Sequence, residues 1–146
     1  MKIFHICYFT LLLIPLSCSD DLGLQRDELL KYIKNKGWNA TETTEGVFVV
    51  VESEGTEDRP IDNSTVTLKY KAWYLDESVF DQSPADQNSR LKLSVAIPGL
   101  KIGLKLLGKN SKGIILIPSS LGYGNNPPFG IKNNSVLIYQ VEVLDF

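Results

Sequence analysis

The sequence predicts an α+β domain: a mostly antiparallel sheet with one short helix inside it and a second helix ahead of it. Three observations carry that prediction. Residues 66–74 alternate, with Val66, Leu68, Tyr70, Ala72 and Tyr74 on one side and Thr67, Lys69, Lys71 and Trp73 on the other. A period of two belongs to a strand with one buried face. Residues 136–146 alternate again, grouping Leu137, Tyr139, Val141 and Val143. Between them Leu100, Gly103, Leu104 and Leu107 recur at helical spacing, with Lys101 and Lys105 elsewhere on the helix.

At the start of the chain, Lys2 precedes an apolar run over residues 3–16. A positive residue followed by a short apolar stretch predicts a signal peptide over residues 1–17, too short for a span of about 20 residues. Ser17 then precedes Cys18, followed by Ser19, Asp20 and Asp21. This resembles the box of bacterial lipoproteins, in which the signal is cut before a cysteine that carries lipid. The acidic tail resembles the export tag of surface lipoproteins in Bacteroidetes-type bacteria. Cys18 is thus the expected lipidation site, anchoring the protein in the cell envelope, outer membrane included, on its periplasmic or surface side. Plain secretion with a free Cys18 is the alternative.

Residues 18–25 read as a tether and residues 26–46 as a helix and connector. The helix is expected over residues 27–36. Acidic Asp27 and Glu28 open it, Lys31, Lys34 and Lys36 close it, and Gly37 follows as a cap. Leu29, Leu30 and Ile33 give it one apolar face, as in a packing helix. The main domain then runs over residues 47–146. Its first strand is the β-branched run 47–51, and residues 55–64 are a polar loop. The strand at 66–74 is followed by a turn at Asp76, Glu77 and Ser78 and by a return at Phe80 and Asp81. Residues 83–89 are loop-like, and Leu91 and Leu93 alternate with Lys92. The inner helix begins after Pro98 and Gly99 and is expected to end at Gly108. Residues 113–117 form an apolar run closed by Pro118, and residues 122–134 form a long loop rich in Gly, Asn and Pro.

Composition removes whole classes of chemistry. Hydrophobic residues make up 43% and charged residues 22%, a globular balance, and a net charge of −2 leaves no basic excess to neutralise phosphates. Nucleic acid is therefore not an expected partner. The chain's one histidine is His5, its one methionine Met1, and its two cysteines Cys7 and Cys18. Only Cys18 outlasts removal of residues 1–17. Histidine-based hydrolysis, His-containing zinc sites and an internal disulfide are all excluded. No metal or cofactor is expected.

A set of short motifs then falls in a telling order: Val66 to Tyr70; Phe80, Asp81 and Ser83; Ala96, Ile97, Pro98 and Gly99 with Gly103; Ile117, Pro118 and Ser119 with Gly122, Tyr123 and Gly124; Ile131; and the closing run through Tyr139 to Asp145. Each piece is weak alone. Together, over residues 47–146, they resemble the FKBP family of peptidyl-prolyl isomerases, and the preceding helix and lipoprotein box resemble its lipoprotein branch. The resemblance implies an FKBP-like twisted antiparallel half-barrel wrapped on one short helix, with an apolar pocket between them.

It also implies roles. Tyr70 points into the pocket, Asp81 is its single buried carboxylate, the Ile97 backbone N–H donates to the bound peptide carbonyl, and Tyr123 offers its hydroxyl. Phe80, Leu91, Ala96, Leu100, Ile131 and Tyr139 line the walls, lip and floor. On periodicity alone the apolar members of this set read as ordinary core. The chain departs from the family in several places: Leu100 stands where tryptophan is usual on the floor, Leu91 where an aromatic wall residue is common, Glu77 replaces a turn glycine, and the stretch from Phe80 to Ala96 is shorter than in compact eukaryotic members. The implied activity is peptidyl-prolyl cis-trans isomerisation assisting exported proteins, with prolyl polypeptides as partners. Proline-mimicking macrolides such as rapamycin are expected to bind weakly, and the protein is expected to be a monomer. A non-catalytic prolyl-peptide-binding or chaperone module, and a lipoprotein with a small ligand, are the competing readings.

Overall fold

The computed structural model describes residues 19–146; Cys18 and the predicted signal peptide lie outside the described residues. In chain order the elements are α1 (Ser19–Lys36), β1 (Thr41–Glu42), β2 (Phe48–Ser53), β3 (Thr65–Trp73), β4 (Val79–Gln82), β5 (Ser89–Lys92), α2 (Pro98–Leu104), β6 (Lys112–Ile117) and β7 (Leu137–Asp145). Single 3-10 turns cover Leu93–Val95 and Ser119–Leu121. The strands form one antiparallel sheet in the order β1-β2-β6-β7-β3-β4, and β5 pairs with the upper part of β3. This is the expected α+β architecture, an open antiparallel sheet with two helices.

Helix α2 lies on the front of the sheet against β6. Gly99 and Gly103 make that approach possible: a Cβ on either would overlap the side chain of Ile117 or Ile115. The front core gathers Val49, Val66, Leu68, Ala72, Leu100, Leu104, Ile115, Ile117, Leu137, Val141 and Val143. The back of the sheet carries a second core, in which Leu29 and Ile33 of α1 cover Phe48, Val50, Ile114, Leu116 and Ile138. The unbroken apolar runs of β2 and β6 follow from this. A strand buried on both faces has no polar positions left to alternate.

Two expectations change. Helix α1 covers Ser19–Lys36 of the described residues, so residues 19–25 of the segment read as a tether are helical. Gln25, Leu29 and Ile33 repeat every fourth residue and all three are buried. One member of that face is polar, so an apolar periodicity stops short of it. The helix ends as expected: Gly37 has φ +67°, its N–H donates to the Lys34 carbonyl (3.1 Å), and Trp38 N–H donates to Ile33 (3.1 Å). Helix α2 ends at Leu104 rather than near Gly108. Leu107 is buried nonetheless, because the turn beyond the helix folds back onto the core.

Candidate active site

The front face opens beside α2 into a cavity of about 250 Å³. Strand β3 supplies Leu68 and Tyr70, which share a face with Ala72 by the period of two. Strand β7 supplies Tyr139 and β5 supplies Leu91. The turn before α2 gives Val95, Ala96 and Ile97, the helix gives Leu100, and the loop after β6 gives Tyr123.

Strand β4 reaches the site through an irregularity. Ala72 pairs with Asp81 but Trp73 pairs with Val79, so Phe80 is an extra residue on that strand. In a regular strand Phe80 and Asp81 would face opposite sides. The bulge lets both turn to the front. Asp81 lines the cavity. Phe80 packs behind it, 4.6 Å from the Tyr74 ring and edge-on to Tyr139 at 5.9 Å between centroids.

The Tyr70 hydroxyl donates to Asp81 Oδ2 (2.8 Å), and Gln82 N–H donates to Asp81 Oδ1 (2.9 Å). Tyr70 is fixed in turn: its N–H donates to Ser83 Oγ (2.9 Å), and Ser83 N–H donates to its carbonyl (2.9 Å). Burial, with the Asp81 hydrogen bond adding to it, pushes the Tyr70 phenol up to about 12. Burial also drives the Tyr139 phenol far above its ordinary value, with Tyr123 and Asp81 reinforcing it. Both rings are therefore neutral hydrogen-bond donors at ordinary pH. The Ile97 N–H makes no backbone hydrogen bond among the described residues and stands at the cavity lip, free to donate.

Of the residues singled out in the sequence, Tyr70, Asp81, Leu91, Ala96, Ile97, Leu100, Tyr123 and Tyr139 line this one cavity. Phe80 supports it from behind. Ile131 does not line it; its N–H donates to the Pro128 carbonyl (3.1 Å) in a turn of the long loop. The expectation of a buried carboxylate is corrected: Asp81 is exposed. It sits on β4, the edge of the sheet, with no further strand to cover it. Leu68, Ser89, Arg90 and Val95 also contribute to the lining. Leu68 was within reach of the sequence, two positions before Tyr70. Nothing in the sequence marks Arg90 or Val95, the latter 78% exposed at the rim.

This is not the largest hollow. One of about 350 Å³ runs along Lys69, Lys71 and Glu142, and another of about 400 Å³ lies beside Gln25 and Lys132. Both are more open and bordered by charged groups. The cavity of about 250 Å³ is more enclosed than these two and combines walls from Tyr70, Tyr123, Tyr139, Ile97 and Leu100 with the Tyr70 hydroxyl fixed on Asp81, the pattern of a ligand site. Among the described residues no cluster of side chains is suited to holding a metal ion.

Comparison with known proteins agrees with this geometry. The family model for FKBP-type peptidyl-prolyl cis-trans isomerases matches residues 56–144. The chain is 38% identical over 116 residues to the FKBP-type peptidyl-prolyl cis-trans isomerase FkpA of Escherichia coli K12, covering 79% of this chain and 42% of that protein. It is 35% identical over 112 residues to a probable FKBP-type isomerase of Haemophilus influenzae, covering 75% of this chain and 46% of that protein. The chain thus spans less than half the length of these curated relatives. Among solved structures, the crystal structure of FkpA from Escherichia coli superposes with a TM-score of 0.75 at 33% identity, covering 86% of this chain and 59% of that one. A peptidyl-prolyl cis-trans isomerase from Pseudomonas syringae shares the fold, with a TM-score of 0.74 at 24% identity over 86% of this chain and 92% of that one.

Proposed function

We propose that this chain, which belongs to the FKBP-type peptidyl-prolyl cis-trans isomerase family, is itself an active isomerase that assists the folding of exported polypeptides. The observation that carries the reading is the make-up of the cavity: walls of Tyr70, Tyr139, Ile97 and Leu100, with the Tyr70 hydroxyl held on Asp81 and the Ile97 N–H free at the lip.

The chemistry asks for little more. Amide resonance sets a barrier of about 18–20 kcal/mol to rotation of an X–Pro bond. Twisting the bond breaks conjugation and lowers the charge on the carbonyl oxygen. The twisted amide therefore needs water less than the planar one, and an apolar cavity binds it better. The Ile97 N–H holds the substrate carbonyl at the lip. The phenols of Tyr123 and Tyr70 and the Asp81 carboxylate add dipoles and charge that need no rearrangement as the bond turns. No bond breaks, so no nucleophile is required.

A protease-coupled assay with a short prolyl peptide tests this. The purified chain should accelerate isomerisation, and Asp81→Ala should lower kcat/KM while the domain stays folded. The specific observation favouring a binding module instead is Leu100, which gives the cavity an aliphatic floor. A parent protein that binds prolyl peptides without accelerating their isomerisation would establish that second reading.

The finer reading places the protein in the cell envelope as a monomer, anchored by lipid on Cys18, with weak affinity for macrolides such as rapamycin. Its support is the sequence around Cys18 and the leucine floor. Among the described residues no helix is long and apolar enough to cross a membrane. Intact-mass analysis from the native host should find acyl chains on Cys18; a mature protein without them removes the anchor.

A further inference from the structure

The loop that brings Tyr123 to the cavity leaves the sheet at Ser119 and returns to it at residues 134–136. Its two ends are tied by a side chain that belongs to neither of them, Gln25 of α1. Gln25 is 6% exposed, on the same helix face as Leu29 and Ile33. A buried amide on an otherwise apolar face must be hydrogen-bonded to persist. Its Oε1 accepts from the Ser119 N–H (2.9 Å), and its Nε2 reaches the Asn134 carbonyl (3.4 Å) and Asn134 Oδ1 (3.5 Å). Ser119 Oγ donates to the same Asn134 Oδ1 (2.6 Å), closing the ring of contacts.

Tyr123 hangs directly from this ring. The amides on either side of it, Gly122 N–H and Gly124 N–H, both donate to the Ser119 carbonyl (3.0 and 2.9 Å), and Asn134 N–H donates to the Gly124 carbonyl (2.9 Å). Gly124 and Asn134 are held at φ +54° and +48°, a left-handed backbone that the network selects. Beyond it the loop is pinned again at Lys132, whose N–H donates to the Tyr74 hydroxyl (2.9 Å) and whose Nζ donates to Asp76 Oδ2 (2.6 Å) and Ser78 Oγ (3.2 Å). That second tie lies eight residues past Gly124 and does not touch the turn bearing Tyr123.

We propose that Gln25 is a positioning residue for the isomerase: α1, through this one amide, sets the conformation in which the loop presents Tyr123 to the cavity. The proposal rests on the isomerase reading above. It gives the helix ahead of the family-matched region a part in the site as well as in the back core.

The test compares Gln25→Leu, which removes every hydrogen bond at similar size, with Gln25→Glu, which keeps an acceptor for the Ser119 N–H. In the prolyl-peptide assay Gln25→Leu should lower kcat/KM about tenfold, short of the roughly hundredfold that a full ångström of misplacement can cost. Gln25→Glu should recover most of it. Tyr123→Phe should cost rate in the parent and add little in the Gln25→Leu background, because the hydroxyl is already misplaced. Tryptophan fluorescence from Trp38 and Trp73 should be unchanged, showing that α1 remains docked. If Gln25→Leu does not fold, Gln25→Met, unbranched like glutamine, takes its place. Parental kcat/KM in the folded apolar variant overturns the proposal, as does an equal loss from Tyr123→Phe in both backgrounds. A parent without activity would instead sink the isomerase reading. Amide exchange then decides: faster exchange at Gly122, Gly124 and Asn134 in Gln25→Leu supports the clamp, and unchanged exchange refutes it.

Discussion

Leu100 serves two surfaces at once. It is 7% exposed, a member of the front core, and it also lines the cavity. A leucine covers less area than an indole and offers no flat face to a proline ring, so affinity for proline-mimicking ligands should be low. Leu100→Trp is expected to tighten binding of rapamycin by about 1 kcal/mol, from the added apolar contact at about 25 cal/mol per Å². The neighbouring cavity of about 250 Å³ gives the ring somewhere to go. Had the side chain pointed only into the core, the larger ring would overpack it and cost about 1–3 kcal/mol of stability. Thermal unfolding with and without ligand separates the two. Tighter binding in a folded variant confirms an open floor. A lower melting temperature with unchanged affinity means that Leu100 is core alone.

At the scale of elements, α2 can work only because it sits unusually close to β6. Gly99 and Gly103 leave no room for a Cβ against Ile117 and Ile115. Gly103→Ala would gain up to about 1 kcal/mol in helix propensity but push the helix off the sheet, at about 1–3 kcal/mol. The net expectation is a lower urea midpoint together with reduced activity, because Ile97 and Leu100 move with the helix. A midpoint at or above the parent's would mean that α2 slides freely over β6. What the sequence disclosed follows the same geometry. Strands β3 and β7 were plain because each alternates, and their alternation also placed Tyr70 and Tyr139 on one face. Strand β1 is two residues long and has no period to read. The first turns of α1 were hidden because Gln25, buried there, is polar, and its partners Ser119 and Asn134 lie in a distant loop. Phe80 and Asp81 sharing a face depends on a bulge, which is a property of pairing between strands. The exposure of Asp81 depends on β4 being the edge, which only the strand order decides. Glu77 was legible as a departure from the family; its φ of +66° and its ion pair with Lys36 of α1 were not.

For the whole molecule, the sheet is buried on both faces and the ion pairs lie at the surface, where each contributes little to stability. The pH response should therefore be set by the phenols of the cavity. The chain's one histidine is His5, in the predicted signal peptide, and Tyr70 is pushed up to about 12. Activity is expected to be nearly flat from about pH 6 to 8, where unperturbed carboxylates and phenols do not change charge. The alkaline side differs. An unfolded tyrosine ionises near 10, whereas Tyr70 and Tyr139 in the fold hold their protons longer, chiefly because burial disfavours the phenolate. Above pH 10 the folded state binds more protons than the unfolded one, so stability must fall as pH rises. The contribution of Tyr70 is complete below 10 and lost through about 12. Lys36 is also raised, by its hydrogen bond to Glu77, but it is an exposed pair and weakens over the same range with small effect. Urea midpoints between pH 7 and 11.5 should fall steeply in the parent and less steeply in the Tyr70→Phe, Tyr139→Phe double variant, which has no phenol to ionise at either position. An alkaline fall of equal slope in both proteins would assign the loss to the surface lysines and remove the buried phenols from the stability balance.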